Sequence, residues 1–176
     1  MEADERHETV SESESFVAGS GEPSPAEEDR RAPACDYRYD ADLQCLFIRW
    51  RGDMGAEFQL EHWGRIASDP AFRSHYNSLH DWRDARFTRD FNYDFVAGKF
   101  KSNAETIEAR RDPVRSAHVV VNRADFGVVR MVLQIMDGMD NARVTRRVFQ
   151  DMAAALEWLG LPADHAPDFD GGHVLE

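Results

Sequence analysis

SHYNSLHDWRDARFTRDF, residues 74–91, is apolar at intervals in its first half and crowded with charge in its second. Tyr76, Leu79 and Trp82 read as the apolar members of a central strand, and His80, Asp81, Arg83 and Asp84 gather at its carboxyl end. The strand is expected to run into a loop and open a helix. Thr88 is the expected N-cap of that helix, since its hydroxyl can accept from a backbone N–H two or three residues on. In open α/β sheets the crevice beyond the carboxyl ends of the strands is where ligands and partners bind. The candidate binding set is therefore His80, Asp81, Arg83, Asp84, Arg86, Thr88 and Arg89. The three arginines, spaced by three, could face a helix N-terminus whose N–H groups favour anions. Pairing with Asp81, Asp84 and Asp90 is the plainer alternative.

Upstream, YRYDADLQCLFIRWRGDM (residues 37–54) reads as two short strands around an Asp-Ala-Asp turn, with Leu46, Ile48 and Trp50 on one face. Phe58, Leu60, Trp63, Ile66 and Ala67 recur at close to helical spacing until Asp69-Pro70 stops the helix. Downstream, a helix is expected to carry Phe91, Phe95, Val96 and Phe100, followed by charged, irregular sequence from Lys101 to Arg115. Ser116–Asn122 is a nearly continuous apolar run of strand length, as for a strand covered on both faces. Ala124–Gly138 reads as a helix with Val128, Val132, Ile135 and Met139 on one stripe and Met131 and Met136 beside it. Arg143–Phe149 alternates like a strand near an edge. The last helix is capped by Asp151, ends at Gly160 and cannot continue through Pro162. The order is β-β-α-β-α-β-α-β-α. Alternation after an opening hairpin predicts an α/β fold with a mixed, mostly parallel five-stranded sheet and about four helices.

Charge is uneven along the 176 residues. The net charge of −12 is concentrated at the ends: residues 1–34 carry ten acids and three arginines, and the last sixteen carry four acids and no base. Residues 1–34 hold few large apolar groups and are expected to be a disordered acidic tail. Residues 35–161 are the expected domain, and 162–176 a second acidic tail. A nearly neutral domain between acidic ends lacks the clustered positive charge that nucleic-acid binding needs. Cys35 and Cys45 make no disulfide framework and have no zinc-type spacing, and Cys45 is expected to be a small core residue. No apolar run approaches a membrane span, and the N-terminus is acidic where a signal peptide is basic. The expectation is a cytoplasmic protein without an integral membrane segment.

The element order, with certain strings in their order and spacing, resembles the STAS-like group of the SpoIIAA-like (anti-sigma factor antagonist) fold, and within it an uncharacterised bacterial branch. The strings are Arg51-Gly52 at the hairpin's end, His80-Asp81-Trp82-Arg83-Asp84, Phe87-Thr88, Asp125-Phe126-Gly127 with Arg130-Met131, and Val148-Phe149 followed by Ala154, Ala155, Leu156, Trp158 and Leu159. The resemblance implies a small signalling or ligand-sensing module. In regulators of sigma-factor kinases the corresponding loop carries an Asp-Ser-Ser-Gly type motif with a phosphorylated serine. Here Arg89-Asp90-Phe91-Asn92 stands in its place, so the phospho-switch does not carry over.

No nucleophile elbow, metalloprotease motif or phosphate loop occurs in the sequence. His80 and Asp81 would point to opposite faces of a strand, leaving His80 with Asp84 as the one imaginable dyad. His165 and His173 lie in the acidic C-terminal stretch, where weak adventitious metal binding is the most they suggest. The expectation is a non-catalytic regulatory module, with no cofactor and no metal, that binds a protein partner or a small anionic ligand. Its alternative is a carrier of an apolar or lipid-like ligand held between the Phe-bearing second helix and the Met-bearing third. The sequence leaves the oligomeric state open.

Overall fold

The computed structural model describes residues 32–94, 97–98, 113–138, 143–167, 169 and 173–175. Strand β1 (Ala34–Asp40) turns back into β2 (Cys45–Met54), and the two pair antiparallel from Ala34↔Arg51 to Asp40↔Cys45. Asp40 makes the turn: its carboxylate accepts from the N–H groups of Asp42 and Leu43, and Gln44 adopts a positive φ of 49° before the chain re-enters the sheet. Helix α1 (Ala56–Ser68) follows and ends at Asp69, ahead of Pro70. Strand β3 (Asn77–Phe87) then lies parallel to β2. Strand β4 (Val114–Val119), helix α2 (Arg123–Gly138), strand β5 (Val144–Phe149) and helix α3 (Met152–Leu159) complete the alternation. The five expected strands form the mixed, mostly parallel sheet. A sixth, β6 (His173–Leu175), joins from the C-terminal stretch expected to be a tail and pairs antiparallel with β1. The order across the sheet is β5-β4-β3-β2-β1-β6.

The sheet divides the interior into two layers. One face carries Leu46, Ile48, Trp50, Trp82 and Ala85 against α1 and α2. The other carries Cys45, Phe47, Leu79, Ala117 and Val119 against α3, with Phe169 packed on it. Strands covered on both sides need apolar residues at successive positions, as at Cys45–Ile48 of β2. Asp151 caps α3 by accepting from Ala154 N–H at 2.8 Å, and Gly160 closes it at φ 83°, a left-handed conformation that glycine adopts without a Cβ clash.

Three expectations shift. Strand β4 begins at Val114 and ends at Val119, so Val121 lies beyond it and is half exposed. Three helices, not four, are complete among the described residues. Tyr93–Asp94 and Ala97–Gly98 are helical, whereas Phe95, Val96, Phe100 and Met139, like residues 1–31, lie outside the described set. Finally, β3 runs on to Phe87, so Arg83, Asp84 and Arg86 belong to the strand itself and not to a loop after it.

Candidate functional site: a pocket floored by paired indoles and imidazoles

Strands β3 and β4 repeat a short pattern in register. Ser78-Leu79-His80 lies beside Ser116-Ala117-His118, with Ser78↔Ser116 and His80↔His118 as direct neighbours. The middle residues point to the α3 side, and the serines and histidines to the α1/α2 side. Ser78 Oγ donates to Ser116 Oγ at 3.0 Å, and the two imidazoles stack at 4.3 Å with planes 9° apart. Both histidines are buried.

Two tryptophans complete the group. Trp50 Nε1 donates to His80 Nδ1 at 3.4 Å, and the rings lie within 6° of one plane. Trp82 Nε1 donates to His118 Nδ1 at 3.2 Å, with planes 10° apart. The two flat pairs are layered, Trp50 on Trp82 at 4.8 Å and His80 on His118. An indole N–H only donates, so each Nδ1 must be an acceptor and each neutral imidazole carries its proton on Nε2. His118 Nε2 lies 3.1 Å from Ser116 Oγ, and in this tautomer it donates to that oxygen.

Above this floor a pocket of about 710 Å³, counted out to its open mouth, lies between the two helices. Gln59, Leu60 and Trp63 of α1 form one wall and Val129, Val132, Leu133 and Met136 of α2 the other. Phe87 and Phe91, with Val144 and Arg146 of β5, complete the lining. The lining is apolar except where Gln59, His80, Ser116, His118 and Arg146 reach it. Gln59 Oε1 is buried there without a hydrogen-bond partner. The Arg146 side chain is only 4% exposed and donates to Asp137 at 2.8 Å, whose own side chain is 52% exposed. An apolar pocket with a few placed polar groups is the usual form of a small-molecule site.

The expected binding set divides. His80 enters the pocket, but at the middle of the sheet and not at the end of a strand. Asp84 does not pair with it. The register passes from Arg49↔Asp81 to Arg51↔Asp84, so Trp50 on β2 faces two residues of β3, Trp82 and Arg83. This bulge reverses the side-chain alternation, and Asp84 meets Arg49 at 3.0 Å. Asp81 is buried and holds Arg83 in a two-point contact of 2.9 and 2.8 Å, which raises the guanidinium pKa further through that hydrogen bond. Arg86 donates to Ala85 O and lies 3.8 Å from Asp125, and Arg89 is exposed in the turn after β3. The arginines therefore do not ring a helix end.

Thr88 is not an N-cap either. Its hydroxyl donates to Met54 O at 3.2 Å and to the Asp90 carboxylate, whose pKa is lowered chiefly by that bond. Asp90 does the capping, but for a distant helix. Its Oδ2 accepts from Ala56 N–H at 3.0 Å, at the start of α1, where Gly55 has no side chain to offer.

Sequence reading missed Trp50, Ser116, His118 and Arg146 as site residues. The available signal was the repeated Ser-x-His in two strands otherwise apolar enough to be buried. A polar residue at every second position of such strands marks an internal polar stripe. Among the described residues no three His, Cys, Asp or Glu side chains are placed to share a metal ion. No described helix is long and apolar enough to cross a membrane.

No family model matches the chain, and no curated protein matches it. A solved structure from Shewanella loihica PV-4, described as an uncharacterized protein from the DUF3478 family with a SpoIIAA-like fold, is similar over 72% of this chain and 94% of its own. The identity is 13% and the TM-score 0.45. The α/β assignment rests on the strand order and register above.

Proposed function

We propose that this chain is a non-catalytic ligand-binding module, taking a small molecule into the pocket between α1 and α2. The observation that carries the reading is the pocket itself, an apolar space with a few convergent polar groups at its floor. The local chemistry supports binding over catalysis. Ser116 and His118 have the spacing of a nucleophile and its base, but the polarity is reversed. A base must offer Nε2 as a lone pair while a third group accepts from Nδ1–H. Trp82 donates to Nδ1 instead, which leaves Nε2 protonated and unable to take the serine proton.

Thermal-shift screening of the full chain against a small-molecule library tests the proposal, with Met136→Trp as the partner variant. Met136 is half buried on the pocket's wall, so an indole there fills the space with less overpacking than at Leu133. Compounds that raise the melting temperature of the wild type are expected to lose that effect in Met136→Trp and keep it in Arg89→Gln. Hits that act equally on Met136→Trp place the binding elsewhere and overturn the reading.

A further inference from the structure

We propose that the open edge of β5 is the docking site of the chain's own acidic N-terminal segment, with residues 10–17 adding to it as a further parallel strand. The side chains that would receive it lie on the α3 side of the sheet, opposite the pocket.

The two edges of the sheet differ. β6 covers β1, whereas β5 pairs only with β4 among the described residues. The carbonyls of Arg143 and Phe149 point to β4, where they accept from Val114 and Val120 N–H. Backbone direction alternates along a strand, so Val144 and Val148 turn their N–H and C=O groups to the open side. The same alternation sets the side chains. Thr145, Arg147 and Phe149 share the α3 face with Arg115 and Ala117 of β4. Arg115, Arg143 and Arg147 are exposed, and among the described residues none of the three pairs with a carboxylate. Arg115 lies over the Trp158 ring and Arg147 over that of Phe149, so cations and aromatic rings share this margin. An edge of this kind fits an extended acidic segment that carries an aromatic residue of its own.

The N-terminal sequence contains such a segment. Val10-Ser11-Glu12-Ser13-Glu14-Ser15-Phe16-Val17 alternates from end to end. As a strand it sets Val10, Glu12, Glu14 and Phe16 on one face and the serines on the other. With Glu14 beside Arg147, Glu12 falls between Arg143 and Arg147, and Phe16 falls beside Phe149, which packs on Trp158 at 5.5 Å. Opposite charges and aromatic pairs on neighbouring strands both stabilise a sheet. The reach is sufficient. Ala34 pairs with Arg51 near the carboxyl end of β2, so the preceding chain departs from the carboxyl end of the parallel strands. A strand beyond β5 lies five spacings from β1, roughly 24 Å. The sixteen residues between Val17 and Ala34 can span about 50 Å. Tethering within one chain raises the local concentration, so a short strand docks where a separate peptide would not.

Amide hydrogen exchange of the full chain, read by NMR at Val144 and Val148, tests the docking, with Leu79 and Ala117 inside the sheet as controls. In the wild type both edge amides are expected to be protected. Glu12→Lys/Glu14→Lys is expected to speed their exchange about tenfold or more while the controls stay unchanged. Salt at about 0.5 M is expected to act in the same direction. Arg147→Glu is expected to lose the protection, and Arg147→Glu combined with Glu12→Lys/Glu14→Lys to recover it. Edge amides that exchange freely in the wild type, or as slowly in Glu12→Lys/Glu14→Lys, overturn the proposal. Absence of recovery in the combined variant overturns the charge pairing on which it stands. Protection that rises with protein concentration assigns the added strand to a second copy and overturns docking within one chain.

Discussion

Asp81 sits on the α3 side of the sheet with only 2% of its side chain exposed, and a carboxylate there needs donors to replace the water it has lost. Arg83 supplies three, through its backbone N–H and the Nε and Nη2 groups of its guanidinium. The pair is half open to solvent on the arginine side, so it contributes less than a fully enclosed one. Arg83→Gln is therefore expected to cost about 1–3 kcal/mol, the penalty for a buried acceptor left short of partners. Arg89→Gln is expected to change stability by less than about 0.5 kcal/mol, as at ordinary surface sites. Urea unfolding of both variants checks this, and equal effects would remove the distinction. Asp90 is the second residue whose task is structural. The Thr88 hydroxyl and Ala56 N–H hold its carboxyl below the usual range, outweighing the opposite effect of burial. Its folded-state pKa is thus lower than its unfolded one. The contribution to stability is full above the unfolded value of about 4 and is lost as pH falls through the lowered value. Asp90→Asn is expected to remove up to about 1 kcal/mol at neutral pH, the ordinary worth of a cap at an exposed site. The two proteins should converge in stability as pH falls through that lowered value and the carboxyl becomes protonated. Melting curves from neutral to acid pH show whether they do.

At the scale of elements, the bulge in β3 does most to arrange the molecule. One extra residue opposite Trp50 keeps His80 and Trp82 on the pocket side, then returns Ala85 to the same face while sending Asp84 to Arg49. A strand of strict period two would have set Asp84 beside Trp82 and pushed Ala85 outward. The other informative element is β6. It covers the free edge of β1 with three paired positions, Cys35↔Leu175, Asp36↔Val174 and Tyr37↔His173. An uncovered edge exposes unpaired N–H and C=O groups that recruit other chains. Truncation after Gly172 is expected to cost only ~1–2 kcal/mol, since a short edge strand is a small part of the sheet, but to promote self-association. Size-exclusion chromatography over a concentration series reads the second effect. A monomer unchanged at every concentration would mean the β1 edge needs no cover.

On the scale of the whole molecule, the two faces of the sheet have different work. The α3 face is closed by Ala155, Leu156 and Leu159 over Phe47, Leu79 and Val119, a filled layer whose role is stability. The α1/α2 face holds the ring stack and, above it, unfilled space. Two helices lying side by side on a twisted sheet leave a wedge between them unless large side chains occupy it. Val129, Val132 and Leu133 of α2 and Gln59 and Trp63 of α1 line this wedge, which remains as the pocket. The filled layer and the pocket thus share one sheet but lie on opposite sides of it. Acidic segments at both ends of the sequence give the chain its net charge of −12, while the domain between them is close to neutral. Charge reaches the pocket through Arg146, which pairs with Asp137.

Local patterns in the sequence determined the hairpin, the three described helices with their stops, and the alternation that makes the sheet mostly parallel. Each depends on residues close together in the chain: the Asp40 turn, Asp69-Pro70, and Asp151 with Gly160 around one short helix. They also placed His80 among the site residues. Tertiary structure alone decided what surrounds it. His118 is 38 residues from His80, Trp50 is 30 residues before it and Arg146 comes from the edge strand, so only strand register brings them together. The bulge that separates Asp84 from His80 has no local signature, because it depends on how β3 meets β2. The cap on α1 comes from Asp90, 34 residues away. Spacing along a chain reports which residues share a face, but partners across a sheet are set by register, and register is a property of the packed whole.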